Sequence, residues 1–150
     1  MKCCLDSNVL DWIVDDERGS DFMDLVERGA VSAVVAADNA HEIHRIPDGK
    51  AEKRDRLRAL LKDHFFPLAP THVPIMGIAR FSLARFATPH VMSLREQLKE
   101  VGIVGLDSNH LINASREKCE AFLTLDNGIL RKAVEIRRIL AVECLDPGQA

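Results

Sequence analysis

Short, continuous apolar runs separated by stretches of helical periodicity constrain this chain more than any other feature. Met1–Leu5, Ala30–Ala36, Ala121–Leu125 and Leu140–Leu145 read as strands, and Phe65–Leu68 as a further short one. Their apolar residues run on without alternating, as they do where a strand is covered on both faces. Between them lie helical patterns. Ser20 is placed to cap a helix with Phe22, Leu25 and Val26 on one face, closed by Gly29. Asn39–Ile46 reads as a helix that stops before Pro47, and Lys50–Asp63 as a charged helix with Leu57, Leu60 and Leu61 as its apolar stripe. Ser93 and Glu96 form a capping box for a helix that carries Leu94, Leu98 and Val101 and ends at Gly102. Ser108–Glu117 and Ile129–Ile136 complete the set, with Gly77–Phe86 as a further helix inside the proline-interrupted stretch 70–92. Strands alternating with helices predict an α/β fold: a three-layer α/β/α sandwich around a central, mostly parallel sheet of four to five strands.

The length of 150 residues suits a single domain over 1–150, and 47% hydrophobic with 29% charged residues is a globular balance. No apolar run approaches the roughly 18 residues of a membrane span, and Asp6 comes too early for a signal peptide. The expected location is therefore cytoplasmic. The four cysteines, Cys3, Cys4, Cys119 and Cys144, show no metal-binding spacing. Cys3 and Cys4 are neighbours on one strand and point to opposite faces, so buried reduced thiols are expected. The net charge of −3 argues against a protein that holds nucleic acid by diffuse basic charge. A nucleic-acid partner would need a local site.

Four acids fall where such a site would form. In parallel sheets, ligands bind at the carboxyl ends of the strands. Asp6 directly follows the first strand and Asp126 the fourth; Glu42 lies in the helix after the second strand, and Asp107 opens a later helix. Each has an ordinary reading by itself: Asp6 and Asp107 as helix caps, Asp126 as a turn former before Gly128, Glu42 as a solvated helix residue. Jointly, four like charges at one sheet edge would repel strongly unless protons or cations neutralise them. Hard carboxylate oxygens suit Mg²⁺ or Mn²⁺. A metal-free protein would then carry strain at this edge, with Asp6 in the middle of it.

In that order and spacing, Asp6, Glu42, Asp107 and Asp126 resemble the acidic set of the PIN domain family, the ribonuclease fold of VapC-type toxins. Ser7 and Asn8 beside the first Asp, and Thr124 shortly before the last, match residue types common in that family. The proline-broken stretch 70–92 and Asn109-His110 after Asp107 depart from it. The resemblance implies a metal-dependent endoribonuclease that hydrolyses RNA phosphodiesters, with Asp6, Glu42, Asp107 and Asp126 as catalytic metal ligands. It further implies a homodimer and an antitoxin protein as partner. Ser7, Asn8, Asn109 and Thr124 are candidates to orient ligands or waters. Lys50, Lys53, Arg54, Arg80 and Arg85 are candidate phosphate contacts, with Arg45 and Arg131 the best placed, each within about a turn of an assigned ligand. Bound divalent cations would offset the net negative charge.

Other chemistries fit less well. His41-Glu42-Ile43-His44 spaces its histidines three apart, whereas zinc proteases place them four apart. The glycines form neither a phosphate loop nor a dinucleotide fingerprint, and no serine sits in a nucleophile elbow. Trp12, beside Leu10 and Ile13, reads as core. Haloacid-type phosphatases want Asp-x-Asp after the first strand, where this chain has Asp6-Ser7-Asn8. Phospho-receivers want a paired acid near the first strand, where Cys3 and Cys4 stand. The alternative of another class is a non-catalytic module that binds RNA or protein.

Overall fold

The structure is a computed structural model that describes residues 1–36, 39, 43, 46–63, 68–69 and 88–149. Five strands form one sheet: β1 (Lys2–Leu5), β2 (Ser32–Ala36), β3 (Leu68–Ala69), β4 (Ala121–Leu123) and β5 (Glu143–Leu145). The spatial order is β3-β2-β1-β4-β5, and every pairing is parallel. The helices are α1 (Ser7–Asp15), α2 (Arg18–Glu27), α3 (Ala51–Asp63, entered through a 3-10 turn at Asp48–Lys50), α4 (Pro89–Glu100), α5 (Gly105–Arg116), α6 (Asn127–Leu130) and α7 (Ala133–Leu140).

The parallel α/β architecture is as expected, while several boundaries move for identifiable reasons. Residues 7–15, unassigned from the sequence, form α1: Asp6 caps it, and Val9, Leu10, Trp12 and Ile13 bury one face. Helix α2 begins at Arg18, earlier than Ser20, because Asp16 draws the chain round. Its carboxylate accepts from the backbone N–H of Arg18 at 2.9 Å and from the Arg18 guanidinium at 3.1 Å. Gly19 lets this corner close, since a Cβ there would lie 2.3 Å from the carbonyl oxygen of Ile13. Helix α4 starts well before Ser93. Thr88 is its cap, with its hydroxyl accepting from Val91 N–H at 3.3 Å, and Pro89 takes the first turn, where a missing N–H is harmless. Ser93 instead pairs with Gln97 inside the helix. The span expected as one helix at 129–136 is two, α6 and α7, broken at Arg131–Lys132. Gly77–Phe86 and most of Asn39–Ile46 lie outside the described residues.

Strand side chains alternate between two cores, one on each face of the sheet. Cys3, Leu5, Ala33, Val35 and Leu123 join Leu10, Trp12, Phe22 and Leu57 in the first. Cys4, Val34, Phe122 and Cys144 join Leu94, Leu98, Leu111, Ile112 and Ile136 in the second. Trp12 is buried and meets Phe22 edge-on, with ring centroids 6.3 Å apart, so it belongs to the core as expected. All four cysteines are free and buried. Burial pushes the Cys3 and Cys144 thiols up to about 12 and Cys119 to about 11, and it raises Cys4 as well. No helix among the described residues is long and apolar enough to cross a membrane.

Candidate functional site

The strand order fixes where a site can form. From β1 the chain runs outward to β2 and β3, then returns to place β4 on the other side of β1. The connections therefore diverge at the carboxyl ends of β1 and β4, the position at which open α/β sheets bind ligands. Leu5 pairs with Leu123 in register, and Asp6 N–H continues the ladder to Leu123 O at 3.0 Å. The residues that follow, Asp6 on one strand and Thr124 to Asp126 on the other, are thereby set side by side.

Asp6 is buried, 8% exposed, and held by a ring of donors. Its Oδ1 accepts from Ser7 N–H at 2.8 Å, and its Oδ2 accepts from the Thr124 hydroxyl at 2.7 Å and from Asn8 Nδ2 at 3.0 Å. Asn8 also ties down the second strand: its Oδ1 accepts from Leu125 N–H at 3.1 Å. Thr124 Oγ1 accepts from Asp126 N–H at 3.0 Å. Burial works against the charge on Asp6, but His110, Thr124 and the Ser7 N–H outweigh it and hold the carboxyl below its ordinary range. Asp6 thus caps α1 with a carboxyl held below its ordinary range.

The strain falls on Asp107. Helix α5 begins at Gly105 behind Val104, which offers no side-chain cap, so Asp107 lies in the first turn rather than at the cap itself. Asp107 is exposed at the surface, yet its carboxyl is raised, first by partial desolvation and then by the charges of Asp126 and Asp6. Those couplings report that the three carboxylates share one electrostatic neighbourhood. Asp126 is exposed and caps α6, its Oδ1 accepting from Gly128 N–H at 2.5 Å and Ile129 N–H at 3.2 Å.

The remaining candidates divide. Ser7, Asn8 and Thr124 touch Asp6 as described above. Asn109 does not face that cluster in its recorded contact: its Oδ1 accepts from Arg95 across the α4–α5 interface at 2.9 Å. Arg131 is exposed at the end of α6. Glu42 and Arg45 lie outside the described residues. Lys53 and Arg54 are committed to other acids: Lys53 pairs with Asp11 at 3.1 Å and Asp15 at 3.3 Å, and Arg54 with Asp48 at 2.7 Å.

Two contributors went unassigned from the sequence. Asn39 is fully buried and donates from Nδ2 to Leu5 O at 3.2 Å, bracing the residue before Asp6. His110 is 5% exposed, and its Nδ1 stands 3.8 Å from Asp6 Oδ1. The available signal was spacing, since His110 follows Asp107 by three residues and so shares its helix face.

Among the described residues, a set that leaves Glu42 out, no group of three or more His, Cys, Asp or Glu side chains is arranged to hold a metal ion. The donor chemistry nonetheless fits a hard divalent cation, since Asp6, Asp107 and Asp126 all offer carboxylate oxygens.

No family model matches the chain, and no curated protein does. Solved structures similar in fold include two. One is the crystal structure of VapBC2 from Rickettsia felis bound to a DNA fragment from its promoter, at 13% identity and a TM-score of 0.56, covering 97% of this chain and 98% of that one. The other is FitAcB from Neisseria gonorrhoeae, at 17% identity and a TM-score of 0.56, covering 99% of each chain. The resemblance to the PIN ribonuclease family is corrected accordingly. With no matching family model, and similar structures that are described as VapBC2 and FitAcB complexes and not as PIN ribonucleases, the chain is not assigned to that family. At these identities the likeness establishes a shared fold.

Proposed function

We propose that the chain is a metal-dependent ribonuclease, the toxic member of a toxin–antitoxin pair. One observation supports the catalytic part: the Asp107 carboxyl is raised, first by burial and then by the charges of Asp126 and Asp6, and Asp6 follows β1 at the edge where β1 pairs with β4. A carboxyl raised in part by the charges of two other acids, at the sheet edge that parallel sheets use for ligands, suits Mg²⁺ or Mn²⁺. Similarity in fold to chains of VapBC2 and FitAcB, which are toxin–antitoxin complexes, supports the pairing with a partner protein.

In this reading Asp6, Asp107 and Asp126, with Glu42, hold one or two divalent ions. When bound, such ions polarise a phosphoryl oxygen and lower the pKa of a coordinated water. The chain's own residues supply the rest. Ser7 N–H, Asn8 and Thr124 fix the Asp6 carboxylate in one orientation, so the ligand is in place before the ion arrives. Asp126, the cap of α6, would present its charge from beyond the end of β4. Arg131, and Arg45 by sequence position, would meet the phosphate backbone. Repulsion between the uncompensated acids and the anionic substrate would keep the metal-free protein inactive.

A second reading, a non-catalytic module that binds nucleic acid or protein, has one observation in its favour: the VapBC2 complex was crystallised bound to promoter DNA. The two readings separate in one assay. Purified protein is incubated with mixed RNA and Mn²⁺ or Mg²⁺, with and without a chelator. Cleavage that needs the metal and leaves 5′-phosphate ends supports the ribonuclease. Cleavage unaffected by the chelator, or cyclic phosphate ends, refutes it; binding without cleavage at any metal concentration favours the second reading.

A further inference from the structure

The peptide group that joins Leu5 to Asp6 is held from both sides of β1. Its N–H donates to Leu123 O at 3.0 Å, on the β4 side. Its carbonyl accepts from Asn39 Nδ2 at 3.2 Å, from the connection that leaves β2. The first bond continues the sheet ladder. The second is made by a side chain three residues past Ala36, where β2 ends, and Asn39 has no exposed surface. A carbonyl only accepts, so the amide nitrogen of Asn39 faces it and the amide oxygen does not. Burying an amide is costly, and an apolar side chain would fill the position without that cost. What an apolar residue lacks is the donor that ties the end of β1 to the chain leaving β2.

Both ends of this tie lead to the site. At one end stands Asp6, whose carboxylate projects from the Cα next to the held peptide. At the other, Asn39 and Ile43 are both helical, and Ile43 is buried in the same core as Leu5. By sequence position Glu42 comes three residues after Asn39. We infer that Asn39 is a positioning residue: it locks the backbone ahead of Asp6 to the start of the segment that carries Glu42, and so sets where the Asp6 carboxylate stands. Ser7 N–H, Asn8 and Thr124 hold the carboxylate itself, and Asn39 holds the backbone from which it projects. The consequence for metal affinity rests on the metal reading above; the placement of Asp6 does not.

Asn39→Ala removes the donor. Ile136→Val and Ile136→Ala, in the core on the opposite face of the sheet, supply a smaller and a larger loss of stability for comparison. In metal-free protein, the Asp6 backbone ¹⁵N and carboxyl ¹³C resonances should move in Asn39→Ala and stay near wild type in both Ile136 variants. Asn39→Ser keeps a hydroxyl donor on a shorter side chain and should fall between; it carries the test if Asn39→Ala does not fold. With Mn²⁺ added, Asn39→Ala should bind about tenfold more weakly, while the Ile136 variants bind as wild type does. Unmoved Asp6 resonances in the folded Asn39 variants overturn the inference. So does Mn²⁺ binding that is unchanged in Asn39→Ala, or that falls equally in an Ile136 variant of equal stability, because Asn39 is then only a core residue. Wild type that binds no Mn²⁺, while the Asp6 resonances respond as expected, supports the placement of Asp6 and sinks the metal reading alone.

Discussion

Replacing Asp6 with Asn isolates what the donor ring contributes. The change is isosteric, and Asn caps helices as well as Asp does, so the Ser7 N–H bond survives. The opposite edge does not. There Oδ2 accepts from the Thr124 hydroxyl at 2.7 Å and from Asn8 Nδ2 at 3.0 Å. An amide NH₂ in its place would face two donors, and the Thr124 oxygen already accepts from Asp126 N–H. Hydrogen bonds to a charged acceptor contribute roughly 1.5–3 kcal/mol each against about 1 for neutral ones, so a net loss of about 2–3 kcal/mol is expected. For a domain of this size that lowers Tm by roughly 5–10 °C. Urea melts of metal-free wild type and variant at pH 7, with chelator present, measure it. The sign with pH follows from the depressed carboxyl. Its stabilisation is present above the ordinary aspartate value of 3.8 and is lost as pH falls through the lower folded value. The gap between the two proteins should therefore shrink below about pH 3.8. An Asp6→Asn protein as stable as wild type at pH 7 would refute this account and restore the picture of a strained, repelling Asp6.

Asp107 should behave in the opposite sense. Its folded carboxyl is raised, so its contribution is most favourable below 3.8 and is lost as pH rises through the folded value; Asp107→Asn should match or exceed wild-type stability at pH 7 without metal and lose that advantage in acid, as thermal melts across pH will read. Phe122→Ala, in a strand flanked by neighbours on both sides and with no exposed surface, should cost about 3–5 kcal/mol in a denaturant melt. The four thiols should resist a thiol reagent at pH 8 in the folded protein and all react once it is unfolded, because burial keeps them protonated and covered.

The sheet was legible in the sequence because apolar runs such as Ala30–Ala36 and Ala121–Leu125 are continuous, a pattern that only strands covered on both faces show in so short a length. The edge carrying the acids followed, since Asp6 directly succeeds β1 and Asp126 comes three residues after the end of β4. Helix α1 was hidden because it is short, nine residues, and its charged residues Asp11 and Asp15 interrupt the apolar run that begins at Val9. The start of α4 was misplaced because Ser93 and Glu96 imitate a capping box while the working cap, Thr88, stands before a proline and looks like loop. At the site, Ser7, Asn8 and Thr124 were legible as neighbours of acids along the chain. The partners of Asn109 and His110 were not, because α4–α5 packing and the rotation of α5 decide which of two adjacent residues meets Arg95 and which meets Asp6. The balance of strain was also out of reach. Asp6 and Asp107 are the same residue type near the same edge, and only the donors on Asp6 make one favourable and the other costly.

The central claim is that Asp6, Asp107 and Asp126 share a divalent ion. Titrating Mn²⁺ into metal-free protein, with free Mn²⁺ followed by its electron paramagnetic resonance signal, tests it without requiring a substrate. The account predicts saturable binding to wild type. It also predicts sharply weaker binding to Asp107→Asn and Asp126→Asn proteins whose circular dichroism is unchanged. Wild type that binds no Mn²⁺ saturably, or folded variants that bind it as wild type does, would contradict it.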